Sequence, residues 1–87
     1  MKGLSAENVL AIADEMCAEH GVVVRDFAAL AAAAAVSTAN FHGVRVFGSA
    51  EAMAGKVSEM IRALKPLSGR NETFAAVTQR VLLEINK

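Results

Sequence analysis

Apolar residues recur at three- and four-residue spacing in four separate stretches of the chain, which predicts four amphipathic helices. The first begins after Ser5, a favourable N-cap, and ends at Gly21, because glycine suits the left-handed position that follows a helix. The second follows Asp26 and runs to about Thr38. Its alanine run, Ala31–Ala35, combines high helix propensity with small side chains, so this helix can pack closely against its neighbours.

The third predicted helix begins after Ser49 and ends before Pro66, since the residue before a proline is pushed out of helical geometry. Its apolar stripe consists of Met53, Val57, Met60, Ile61 and Leu64. The fourth begins near Asn71, which we expect to cap it. Its apolar residues are Phe74, Val77, Val81, Leu82 and Ile85. Residues 1–87 are therefore predicted to form one domain, an all-α small helical bundle of about four helices.

Two connecting segments carry signals for extended structure. The run Val22–Val24 consists of β-branched residues, which favour an extended backbone. Residues 40–48 are bounded by turn residues and contain the alternating sequence Val44, Arg45, Val46. This pattern predicts a loop or a short β arm near residues 41–47.

Composition narrows the class of partner. Nine basic and nine acidic residues cancel, and neither sign forms a block, which argues against nucleic acid or an anionic membrane as the partner. The single cysteine, Cys17, suits a reducing compartment, and its apolar neighbours predict a buried, inert thiol. The N-terminus has no signal-peptide core, and no apolar stretch approaches the ~20 residues of a membrane span. We expect a cytoplasmic protein whose small core favours a protein partner or a homodimer.

The sequence contains no pattern typical of a conventional catalytic site. The two histidines, His20 and His42, and the lone cysteine show no zinc-ligand spacing. Glu51 and Glu59 lie eight positions apart and are expected to be solvated charges on a helix face. We therefore expect no catalytic residue of a conventional kind, no metal site and no cofactor.

The stretch 65–75, KPLSGRNETFA, is the strongest candidate for chemistry. A glycine that precedes a helix N-terminus presents free backbone N–H groups, which can hold a phosphate. Ser68-Gly69-Arg70-Asn71 has that form, although an ordinary helix–turn–helix with an asparagine cap has the same pattern.

The order of these parts resembles the Fic/Doc family, all-α proteins that transfer nucleotide or phosphate groups and include the death-on-curing toxins. The family motif H-P-F-x-D/E-G-N-K/G-R aligns without gaps with KPLSGRNET, and Pro66 and Asn71 match it strictly. Upstream, Phe41-His42-Gly43-Val44 is similar to the family's F-G-V arm, and the likeness covers residues 4–86. The resemblance implies a minimal Fic/Doc core with an arm at Val44, Arg45 and Val46 that docks a target.

The reactive groups of the family motif are replaced in this chain. Lys65 stands where the family has its general base, and a lysine ordinarily keeps its proton at neutral pH. Gly69 replaces the acidic residue that holds the metal, and Arg70 replaces the glycine that lets the backbone approach phosphate. Glu72 replaces the lysine or glycine, and Thr73 replaces the phosphate-binding arginine. Nucleotide binding is therefore not expected, and Lys65, Gly69, Arg70 and Asn71 are predicted to form a vestigial nucleotide or anion loop.

Three hypotheses follow from the sequence. The first is a catalytically degenerate Fic/Doc-like protein that acts through protein contact, in a bacterial toxin–antitoxin-type or phage-related system. The second is a divergent nucleotidyl- or phosphotransferase in which Lys65 or Arg70 has an altered role. The third is an unrelated helical interaction module or regulatory subunit.

Overall fold

The computed structural model describes the backbone of residues 1–87 and every side chain except that of Phe41. Within these residues the chain forms an all-α bundle of four helices. They are α1 (Ala6–His20), α2 (Phe27–Ser37), α3 (Ala50–Leu64) and α4 (Asn71–Ile85). The predicted fold class is confirmed, and the observed bounds lie within a residue or two of those predicted from caps and breakers.

The helix ends show why these segments fold as they do. The side chains of Ser5, Asp26 and Ser49 each accept a hydrogen bond from the backbone N–H three residues later, at the starts of α1, α2 and α3. Gly21 ends α1 in the left-handed conformation, with φ 67°. Local sequence therefore determines most of the helix boundaries.

Each helix packs against the next along the chain, and α4 also packs against α1. The contact between α3 and α4 is the most extensive of these. The core consists of one cluster of apolar side chains drawn from all four helices and from Leu4 and Leu67. Its largest members, Phe74, Leu30 and Met53, have no solvent exposure. The α3–α4 pair is thus the centre of the fold, and the candidate loop joins its two helices.

Two side-chain environments differ from those predicted. Cys17 is only half-buried rather than buried. On α3 the residues Met53, Val57 and Ile61 are buried, but Leu64 is 42% exposed and Met60 is only half-buried. The apolar stripe of α3 is wider than the area that its neighbours cover, which leaves one edge of it at the surface.

The predicted arm is a minimal hairpin. Strand β1 (Asn40–Phe41) pairs antiparallel with β2 (Val44–Arg45), and His42 and Gly43 form the turn with positive φ angles. The run Val22–Val24 is extended at its end, where Val24 forms an isolated antiparallel bridge with Leu67. That bridge attaches the α1–α2 connection to the α3–α4 connection. No described helix has the combined length and apolar character needed to cross a membrane.

Candidate functional site

The α3–α4 connection, residues 65–70, begins with an abrupt end to α3. Lys65 adopts the left-handed conformation, with φ 48°, and its N–H donates to Ile61 O at 2.9 Å. Pro66 and Leu67 then turn inward and are buried. Leu67 is only 1% exposed and anchors this connection in the core. The exposed Lys65 side chain therefore stands at the rim of a packed turn.

Backbone polar groups of the connection bond to the α1–α2 connection. Pro66 O accepts from the N–H groups of Arg25 and Asp26 at 2.7 and 3.1 Å. Ser68 N–H donates to Val23 O at 2.8 Å, and Val23 N–H donates back to Ser68 Oγ at 3.0 Å. These backbone N–H and carbonyl groups are already paired within the protein, so they are not free to bind a ligand.

The sequence predicted Asn71 as the N-cap of α4, but the structure gives this residue another role. The N-cap of α4 is Arg70, and Asn71 is the first helical residue. The Asn71 carboxamide instead reaches back to Leu67, where Oδ1 accepts from the N–H at 3.0 Å and Nδ2 donates to the carbonyl at 2.9 Å. The cap prediction was wrong because an asparagine can also bond to the residue four positions before it, which spacing alone does not distinguish.

Arg70 occupies a left-handed conformation, with φ 62°, and its exposed side chain makes no capping hydrogen bond. Glu72 in the first turn of α4 bonds to Arg62, whose Nε lies 2.8 Å from Glu72 Oε2. Arg62 Nη1 also donates to Ser58 Oγ at 2.7 Å. A carboxylate therefore already lies at the positive end of this helix, where it disfavours a second anion.

Gly69 does not provide an open pocket for an anion. A Cβ atom added there would lie 3.4 Å from Val22 Cγ1, so this side of the glycine faces a neighbouring side chain. The sequence-predicted residues Lys65, Gly69, Arg70 and Asn71 are thus gathered in one short connection, where the side chains of Lys65 and Arg70 are exposed and that of Asn71 bonds to Leu67. No cluster of histidine, cysteine or carboxylate side chains suited to a metal ion occurs among the described residues.

The predicted docking arm presents two apolar side chains to solvent. Val44 and Val46 are 68% and 58% exposed. Arg45 between them turns back to the bundle, where Nη2 donates to Ser37 O at 3.1 Å near the end of α2. Glu51 and Glu59 are exposed charges on α3, as expected.

A surface groove that sequence reasoning missed lies between α2 and α3. It has a volume of about 330 Å³, and its lining is mainly apolar. The lining residues are Val36, Lys56, Glu59, Met60, Ala63 and Leu64. The width of the apolar stripe on α3 was the available signal, because a stripe that spreads beyond one packing face leaves an edge exposed.

Comparisons with known proteins identify no relative of this chain. No protein-family model, curated protein or solved structure matches the chain. The fold and the α3–α4 connection together define a small all-α bundle in which a motif-like loop serves as a packed joint between two core helices.

Proposed function

We propose that the protein is a catalytically degenerate Fic/Doc-like domain that acts through protein–protein contact. The proposal includes a cytoplasmic location in bacteria and a role in a toxin–antitoxin-type or phage-related system. The main support is the bonding of the α3–α4 connection. Ser68 N–H, a donor of the connection that an anion site could use, bonds instead to Val23 O, while the Asn71 side chain bonds to Leu67.

The charges around the connection give further support. Lys65 stands where the family motif has its base, and Glu72 is already paired with Arg62 at the start of α4. Bringing a nucleotide phosphate within ~4 Å of that carboxylate costs about 1 kcal/mol even in bulk water. The contact between α3 and α4 is the most extensive in the bundle, as the proposed family arrangement requires.

The direct experiment measures group transfer. Purified protein is incubated with labelled ATP, CTP or UTP and Mg²⁺, alone and with bacterial elongation factor Tu as acceptor. We expect no label on either protein under conditions in which an active Fic/Doc enzyme labels its target. Labelling by the wild type that disappears in a folded Arg70→Ala variant, which removes the guanidinium without restoring the motif glycine, would overturn the proposal.

One observation favours a second candidate, a divergent nucleotidyl- or phosphotransferase. No side chain caps the first turn of α4, and the exposed guanidinium of Arg70 lies beside that helix end. An uncapped helix N-terminus next to a cation attracts phosphate. This candidate predicts saturable binding of ATP that depends on Arg70, and absence of such binding would exclude it.

A further inference from the structure

The residues on the outer face of α3 are arranged symmetrically about the middle of the helix. It consists of Ala52, Gly55, Lys56, Glu59, Met60 and Ala63, and it lies opposite the buried side of the helix. Ala52, Lys56, Glu59 and Ala63 are all exposed. Their spacing of four, three and four positions reads the same in both directions from a midpoint between Val57 and Ser58.

This symmetry makes the face complementary to itself. When a second copy of α3 lies antiparallel across a two-fold axis through that midpoint, Lys56 of each copy faces Glu59 of the other. The same operation places Ala52 opposite Ala63, and small residues at both ends of the face allow the helices to approach closely. Gly55 and Met60 lie on opposite flanks of the face, so each of them meets the same residue of the other copy. A Cβ added at Gly55 would meet nothing within 4 Å, so the space beside it is open within one copy.

We propose that the partner of this face is a second copy of the chain, seated as an antiparallel two-fold dimer through α3. The inference rests on the proposed function as a protein-contact domain and names its partner. The apolar groove lies at one end of the face, so Ala52 of the second copy lies over Ala63 in its lining. Met60, which lines the groove, meets Met60 of the second copy, so this contact removes part of the apolar lining from water.

Charge sets the register of this dimer. Lys56 Nζ lies 3.4 Å from Glu59 Oε1 within one chain. In the dimer two such pairs come together, so that each cation lies between two carboxylates and each carboxylate between two cations. A parallel arrangement or a shifted register would instead place like charges opposite each other, which disfavours it.

The size of the face makes the dimer weak. The helix has 15 residues, so it is about 22 Å long, and it covers less than the ~800 Å² per partner of a standard interface. We expect a dissociation constant on the order of 10–100 µM and a mass that depends on concentration. Analytical ultracentrifugation between about 5 µM and 1 mM spans this range.

Charge reversals provide the decisive variants. Lys56→Glu makes positions 56 and 59 all acidic, and Glu59→Lys makes them all basic, so each variant alone is expected to dimerise at least about tenfold more weakly. An equimolar mixture of the two restores every opposite-charge contact and is expected to form a heterodimer. The double variant Lys56→Glu/Glu59→Lys also restores dimerisation. Arg80→Glu, an exposed reversal on α4, is the matched control and leaves the dissociation constant unchanged.

Several results would overturn the dimer. They are a wild type that stays monomeric up to about 1 mM, single reversals that dimerise like the wild type, and a mixture of the two that stays monomeric. Both side chains are exposed, so the variants are expected to fold, and circular dichroism checks this. The measurement contains no nucleotide, so its failure is separate from failure of the proposed function, which the transfer assay tests.

Discussion

The Asn71 carboxamide makes paired hydrogen bonds with both backbone groups of Leu67, at 3.0 and 2.9 Å. This pairing closes the turn between α3 and α4 and fixes Leu67 in the core. The same asparagine that resembles a motif residue therefore has a structural role. The role accounts for its presence without any bound ligand.

We expect Asn71→Ala to lower the free energy of unfolding by about 1–3 kcal/mol, because Leu67 N–H would lose its partner in a partly buried site. The stability of Asn71→Asp is expected to lie between those of the wild type and Asn71→Ala, since a carboxylate can accept from the Leu67 N–H but cannot donate to the Leu67 carbonyl. Urea denaturation measures both, with Asn40→Ala on the exposed hairpin as the control. A change below about 0.3 kcal/mol in Asn71→Ala would contradict a structural role for the pairing.

Glycine at either end of the α3–α4 connection is expected to stabilise the fold. Lys65 and Arg70 have φ angles of 48° and 62°, where residues with a Cβ are strained. Lys65→Gly and Arg70→Gly should each raise the free energy of unfolding by about 0.5–1 kcal/mol, after the entropic cost of glycine in the unfolded chain. Lys65→Ala and Arg70→Ala remove the same side chains but keep the strain, and they serve as controls. Glycine variants that are less stable than their alanine counterparts would contradict this expectation.

The hydroxyl group of Thr78 is a weak point in the core. Its Oγ1 is buried and has no hydrogen-bond partner among the described residues, and the residue itself has no solvent exposure. Thr78→Val replaces the hydroxyl with a methyl group of similar shape and is expected to raise the free energy of unfolding by about 1–3 kcal/mol. Thr38→Val is the contrasting variant, because Thr38 Oγ1 already donates to backbone carbonyls near the end of α2. Thermal unfolding that ranks Thr78→Val below the wild type would show that the hydroxyl is satisfied.

The helices could be predicted because their ends are set by local signals. Ser5, Asp26 and Ser49 cap helices through bonds to residues three positions away, and Pro66 stops α3 through its own ring. The extended run ending at Val24 could also be predicted from its β-branched residues. The pairing partner of this run could not be predicted, because the bridge joins Val24 to Leu67, which is far from it in sequence.

The sequence predicted where the candidate site lies, but it did not predict how the residues of the site contact one another. Periodicity placed residues 65–70 between two helices, but it could not show that Ser68 bonds to Val23. Similarly, the apolar residues of α3 span more than one face, and sequence alone does not show which side α2 and α4 cover. Leu64 and Met60 belong to the predicted apolar stripe of α3, whereas the structure leaves them along the groove.

The measurement that tests the central claim most directly is titration calorimetry of the wild type with ATP, with and without Mg²⁺. If residues 65–75 form a structural joint, we expect no saturable heat at ATP concentrations up to about 1 mM. Arg70→Ala should give the same flat titration. A saturable one-to-one isotherm for the wild type that is lost in a folded Arg70→Ala variant would contradict the account, because it would show that the connection is a working nucleotide site.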